Sequence, residues 1–266
     1  MKWPASGAAL SIRGHGWLFP RLVLVYIEGE KGGSMGGVHV ILRRGVNGVL
    51  ALLKWPVALG MLFFSPTLLE VALELVDRLV EDSDRLTSFM EGFFLYLILW
   101  FILLKRRFVG SWLSTLEHEL THALFALLTL HKVRMVKTTH YSGGYMLYTG
   151  EGNWLILIAP YFFPTMSFIL MALFIIFGDG VPNGAAEIFG ASVSYHLTST
   201  WKETHLGQSD LTKVGRVFAL MVLPGANLFV YSLLFSFVLS GTSGVSESLS
   251  LMYRDLFSLF VGTPGF

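Results

Sequence analysis

Residues 154–177 read WLILIAPYFFPTMSFILMALFIIF, a run of 24 residues without a charged side chain. A helix of about 20 apolar residues is long enough to cross the hydrocarbon core of a bilayer. This stretch is therefore predicted to be a membrane span. Pro160 and Pro164 lie inside it and are predicted to kink the helix, because proline removes a backbone donor and clashes with the preceding turn.

The composition of the whole chain agrees with a membrane protein. Of the 266 residues, 53% are hydrophobic and only 14% are charged, against about a quarter charged in a soluble domain. The formal net charge of +1 gives no basic surface for nucleic acid, and the absence of cysteine excludes disulfides and thiolate ligands. We therefore expect an integral, multi-pass protein in contact with the lipid bilayer.

Further apolar segments flank the central run on both sides. Helices are predicted at 46–64, 67–81 (amphipathic), 88–104, 112–130, 185–201 and 217–239. Residues 131–152 instead alternate and are rich in β-branched and aromatic side chains, which favours a membrane-associated β-hairpin. The predicted fold class is an α-helical polytopic membrane protein with five or six transmembrane helices and this hairpin before the 154–177 span.

Three parts of the chain are distinguished by composition. Residues 1–44 are predicted to form a peripheral segment with short strands at 22–27 and 38–42. Residues 45–240 are predicted to form the membrane domain, and residues 241–266 an amphipathic tail.

Residues 118–122 read HELTH, an HExxH motif inside the apolar helix 112–130. On a helix, His118 and His122 project from one face one turn apart, which suits two ligands of one zinc ion. Glu119 is then placed to activate a zinc-bound water as general base. The alternative is a polar patch that hydrogen-bonds neighbouring helices, but charged groups in an apolar helix are costly unless they are paired, hydrated or metal-bound.

A catalytic zinc site usually has a third protein ligand and one open position. The candidates are His131, His140, His196, Glu203, His205 and Asp210. Asp210 is preferred, because carboxylate is a common third ligand and Gly207-Gln208-Ser209 gives a flexible approach. His196 and His205 remain the alternatives.

HELTHALFALL in an apolar helix, a following Gly-Gly stretch and a later helix-entry Asp resemble the site-2 protease group of membrane-embedded zinc metalloproteases (peptidase family M50). The resemblance covers residues 110–230 and is closest to the small, divergent branch without a PDZ domain. The Asn-Pro…Asp-Gly pattern of better-known members is absent here. The resemblance implies Zn²⁺ held by His118, His122 and Asp210, with Glu119 as the catalytic base.

The resemblance also implies that a substrate segment adds as a strand near the Gly-Gly stretch. Gly143, Gly144 and Tyr145 are the predicted contacts, and Asn227 is a further candidate for substrate binding. The alternatives are that the two glycines only form a turn and that Asn227 is a helix-packing amide.

The sequence thus predicts a zinc metalloendopeptidase that hydrolyses a peptide bond of a transmembrane protein inside the membrane. One rival is a non-proteolytic scaffold that keeps the metal site, for which Glu119→Gln would be harmless. Another is a transporter that uses intramembrane His and Glu, for which metal or proton flux would be measurable.

Overall fold

The computed structural model describes residues 23–26, 35–104, 110–139, 143–178, 183–204 and 208–261. In chain order the elements are β1 (Val23–Tyr26), α1 (Met35–Glu81), α2 (Ser83–Leu99), α3 (Gly110–Leu128), β2 (Val133–Thr139), β3 (Gly143–Tyr148), α4 (Trp154–Ile158), α5 (Thr165–Phe177), α6 (Asn183–Glu203), α7 (Ser209–Val214) and α8 (Arg216–Val261). A π-helical turn, Trp100–Leu104, continues α2, and a 3₁₀ turn, Ala159–Tyr161, follows α4. The described part of the chain is predominantly helical.

Among the described residues, three helical stretches are long and apolar enough to cross a membrane, by length and composition. They are Gly37–Glu81, Ser83–Ile102 and Arg216–Ser258. The pair α4–α5 adds a fourth if it counts as one span, and it is bent by 86° at the break between Tyr161 and Thr165. The predicted kink at Pro160 and Pro164 is therefore present, whereas the number of five or six spans stays a prediction.

α1 is one continuous helix of 47 residues, although it contains Pro56 and Pro66. The strand predicted at 38–42 is wrong, because these residues lie in the first turns of α1. A short apolar run cannot be assigned by pattern alone, and no proline separates this run from the predicted helix at 46–64. For the same reason α1 passes through the boundary predicted at residue 44.

α8 is broken at Ser240 and Gly241, whose backbone angles are not helical. Gly241 has φ +64°, a left-handed conformation that glycine adopts without steric cost. The side chains of Ser236 and Ser248 are hydrogen-bonded although they are 12 residues apart in sequence. The second arm of α8, residues 242–261, therefore folds back on the first arm, residues 216–239.

Helix pairing organises the described part of the molecule. The most extensive pairings are α1 with α8 and α2 with α6, while α3 packs against α6, β2 and β3. In the α1–α8 pair, Met252 packs with the Leu68, Val71 and Leu75 side of α1. The strands form a sheet in the order β1-β2-β3 with antiparallel neighbours, so β3 is an edge strand.

Candidate metal centre

Two histidines of α3 face each other one helical turn apart. His118 and His122 are 9% and 7% exposed, and their rings meet edge to face with centroids 4.7 Å apart. The two Nε2 atoms are separated by 3.1 Å. The predicted projection of both imidazoles from one face is therefore present, with the same nitrogen of each ring in the shared space.

Asp210 brings a carboxylate to the same point from a different part of the chain. It is the second residue of α7, a helix of six residues. Its Oδ2 atom lies 3.2 Å from Nε2 of His122 and 3.6 Å from Nε2 of His118. The structure thus brings the predicted third ligand onto the two histidines.

A backbone carbonyl fixes the orientation of His122. Its Nδ1 lies 2.7 Å from the carbonyl oxygen of Ile156 in α4. That carbonyl is free to accept because its usual helical donor would be the N–H of residue 160, which is proline. Since a carbonyl oxygen only accepts, Nδ1 of His122 must carry the ring proton, and Nε2 presents its lone pair to Asp210.

The donor set and the distances fit one zinc ion. Two ligand atoms at about 2.0–2.1 Å from a tetrahedral zinc are about 3.3 Å apart, close to the three separations of 3.1, 3.2 and 3.6 Å. The lone pair of His122 and the Asp210 oxygen repel each other unless a cation or a proton lies between them. Among the described residues, these three form the one group of His, Asp or Glu side chains close enough for a metal ion.

Glu119 lies beside the three candidate ligands and close to strand β3. It is 7% exposed and interacts electrostatically with His122 and Asp210. A Cβ atom added to Gly144 would lie 2.8 Å from Cγ of Glu119 and 2.6 Å from Cγ2 of Thr115. Glycine at position 144 is therefore what allows β3 to approach α3 this closely.

The other ligand candidates are placed elsewhere. His131 is 1% exposed, and its ring nitrogens lie 3.0 Å from the Thr129 hydroxyl and 2.8 Å from the Glu151 carbonyl. His196 pairs with Glu117 at 3.6 Å. Glu203 accepts a hydrogen bond from the hydroxyl of Thr115 at 3.1 Å. His140 and His205 lie outside the described residues.

The residues predicted to contact substrate lie in two places. Gly143, Gly144 and Tyr145 are in β3, and Tyr145 is 45% exposed. Asn227 donates through Nδ2 to the carbonyl oxygens of Tyr161, at 3.2 Å, and of Leu223 in its own helix. The ring of Tyr161 packs against His118, with centroids 5.5 Å apart. These contacts are of the kind expected if Asn227 is a helix-packing amide, which was the alternative to a role in substrate binding.

One residue that anchors the helix carrying Asp210 was not predicted from the sequence. Lys54 of α1 donates to the carbonyl oxygen of Val214, at 2.9 Å, and thereby holds the end of the helix that carries Asp210. A charged residue inside an apolar span is the signal that could have found it, because such residues usually have a specific partner.

The candidate metal centre is built from three elements of the described part of the chain. Two histidines come from α3, the carboxylate comes from α7, and α4 supplies the carbonyl that orients one imidazole. Comparison of the chain with protein-family models, with curated proteins and with solved structures finds no match.

Proposed function

We propose that this chain is a multi-pass intramembrane zinc metalloprotease of the site-2 protease kind. The observation that carries the proposal is the convergence of His118, His122 and Asp210 within 4.8 Å, with buried Glu119 beside them. Two histidines and one carboxylate, with a neighbouring Glu, are a common catalytic zinc set. The candidate membrane spans support action within the bilayer, and one of them, the bent pair α4–α5, packs against α3.

The roles of the residues follow from their positions. His118, His122 and Asp210 would hold the zinc ion, which when bound polarises a carbonyl oxygen and lowers the pKa of water. Glu119 takes a proton from the attacking water and delivers it to the nitrogen of the leaving amine, so that one water is added across the broken C–N bond. The Ile156 carbonyl keeps the proton of His122 on Nδ1.

The edge strand β3 supports a mode of substrate binding. A substrate segment in extended form would pair with β3 by backbone hydrogen bonds, as peptides add to exposed sheet edges. Gly144 sets β3 against Glu119, so the added segment would pass near the catalytic carboxylate. The substrate is a transmembrane protein whose helix must unwind locally, because a helical backbone hides its carbonyls from attack.

Metal content is the first test. We expect about one zinc per chain in detergent-purified protein, and its loss in His122→Ala and in Asp210→Ala. His131→Gln is the matched control, because His131 is equally buried but bonds to Thr129 and Glu151. Zinc retained without Asp210 would contradict the ligand assignment, and no zinc in the wild-type chain would contradict the proposed function.

Hydrolysis is the second test. The wild-type chain is reconstituted in liposomes with a library of single-span peptides, and cleavage is detected by mass spectrometry. Glu119→Gln should retain zinc and lose cleavage, because the amide cannot accept the proton. Equal cleavage by both chains would assign the activity to another source. Zinc binding without any cleavage would favour a non-proteolytic metal-binding protein.

A further inference from the structure

A small cavity lies next to the metal centre, between α3, α6 and the turn that follows α4. It leaves about 10 Å³ in which the centre of a water molecule can lie. Glu117 and His118 of α3, Tyr161 of the turn, and His196 and Glu203 of α6 are among the lining residues. The volume is that of a site for a single water molecule.

Two buried atoms on this cavity lack a hydrogen-bond partner. Glu117 and His196 are 3% and 2% exposed, and their nearest polar atoms, Oε1 and Nδ1, are 3.6 Å apart. Oε2 of Glu117 and Nδ1 of His196 have no hydrogen-bond partner among the described residues. Leaving such groups unpaired in a protein interior is unfavourable, so native structures satisfy them with protein or with water.

We propose that this cavity is a binding site for one internal water molecule, hydrogen-bonded to Glu117 and His196. A polar cavity with room for one water molecule and at least two polar partners holds water, whereas an apolar cavity of similar size stays dry. A second metal ion fits this cavity less well than a water molecule does. Within the described part of the chain, no third His, Asp or Glu converges on Glu117 and His196 as Asp210 does on the two histidines.

The location gives this water a role, and that role rests on the proposed function. The same cavity is lined by His118, a ligand of the metal centre. Hydrolysis of each peptide bond consumes one water molecule, and the bilayer core supplies none. The site between Glu117 and His196 would therefore store water beside the metal centre.

Radiolytic footprinting tests the water site in the intact protein without substrate. Hydroxyl radicals formed from a bound water oxidise the side chains that touch it, even when those side chains are closed to bulk solvent. We expect His196 to be oxidised several times faster than His131, the matched control. His131 is 1% exposed and has both ring nitrogens near hydrogen-bond partners. Equal oxidation of the two histidines in folded protein would overturn the proposal.

A variant sharpens the test. Glu117→Leu removes one polar wall of the cavity, so oxidation of His196 should fall to the level of His131. Ser236→Ala is the control, since it removes a buried hydrogen bond to Ser248 within α8, neither residue lines the cavity, and the labelling of His196 should stay unchanged. Unchanged labelling in Glu117→Leu would contradict the assigned partners.

The test of the water site can fail or succeed independently of the tests of the proposed function. A chain that binds zinc and cleaves peptides while His196 and His131 are oxidised equally would lose only the water site. A chain that lacks zinc but oxidises His196 faster would keep the water site and lose the proposed hydrolysis. If Glu117→Leu does not fold, the comparison of the two histidines in the wild-type chain decides.

Discussion

Lys54 is a charged side chain within an apolar helix, and the structure gives it two partners. Its ammonium group donates to the carbonyl oxygen of Val214 at 2.9 Å and lies 5.0 Å from the ring centroid of Phe218. Val214 is the last residue of α7, where a cation interacts favourably with the helix dipole. A helix of six residues is not stable alone, so this contact anchors the element that carries Asp210.

We therefore predict that Lys54→Met weakens zinc binding by about 10-fold or more, the usual effect of losing a group that orients a ligand. The reason is that α7, without its anchor, holds Asp210 less firmly. Competition with a chelator of known affinity measures the change. Lys54→Arg keeps a cation and a donor and should recover part of the affinity.

A double variant separates positioning from general destabilisation. In an Asp210→Ala background, Lys54→Met should cause no further loss of zinc affinity, because Lys54 acts through Asp210. Arg85→Met is the structural control, since it removes a hydrogen bond from another cationic side chain to a backbone carbonyl, that of Val238 in α8. Equal losses with and without Asp210 would show that Lys54 only stabilises the fold.

Among the contacts between elements, the close approach of strand β3 to α3 depends on Gly144. A Cβ atom there would lie 2.6 Å from Thr115 and 2.8 Å from Glu119, closer than side chains normally pack. We predict that Gly144→Ala retains zinc but lowers hydrolysis by about 10²-fold, because a small displacement of a catalytic group has effects of this size. Peptide cleavage and zinc content are measured on the same preparation.

The control for Gly144→Ala is Gly48→Ala in α1, where an added Cβ meets nothing within 4 Å. Adding Thr115→Ser to Gly144→Ala removes the methyl group of one clash and should restore part of the activity. If Gly144→Ala loses zinc and activity together, the hairpin supports the metal ligands rather than Glu119.

At the scale of the molecule, α2 and α6 cross through two glycines. A Cβ at Gly190 would overlap the carbonyl oxygen of Phe89, and one at Gly92 would overlap the backbone of Glu187. Small residues let membrane helices approach this closely and gain packing contacts. α6 also carries His196 and Glu203, so this crossing places one wall of the site.

Gly190→Val should lower the melting temperature of the whole chain in detergent. Overpacking typically costs about 1–3 kcal/mol, and here the neighbour is backbone, which cannot rotate away. Thermal unfolding followed by circular dichroism measures the effect. Gly60→Ala is the control, because its added Cβ would make an ordinary contact with Phe64 at 3.8 Å. An unchanged melting temperature would contradict the close crossing.

The sequence predicted the parts of this molecule that are encoded locally. The spacing of His118 and His122 follows from helix periodicity, and the bend near Pro160 follows from a missing donor. Lys54 and Val214 are 160 positions apart in the sequence, and no local sequence pattern indicates a contact between residues so far apart. α7 was missed because its six residues carry too few apolar positions for a helical period to be visible.

α1 is a single helix, whereas two helices, at 46–64 and 67–81, were predicted over this part of the chain. Ser65-Pro66 predicted a break, but proline can be accommodated in an apolar helix when nearby groups satisfy the freed carbonyls. The Ser65 hydroxyl donates to the Met61 carbonyl one turn earlier. The resulting helix of 47 residues is about 70 Å long at 1.5 Å per residue, which exceeds the thickness of a bilayer.

The separation of the metal ligands along the chain has a consequence for biosynthesis. Asp210 is 88 residues beyond His122, and His196 and Glu203, which pair with residues of α3, also follow it. A ribosome therefore delivers α3 before any of these partners has been translated. Its polar face must be shielded by water or by the insertion machinery until α7 emerges. Under the proposed function, the full ligand set would therefore become available to zinc only after most of the chain has been made.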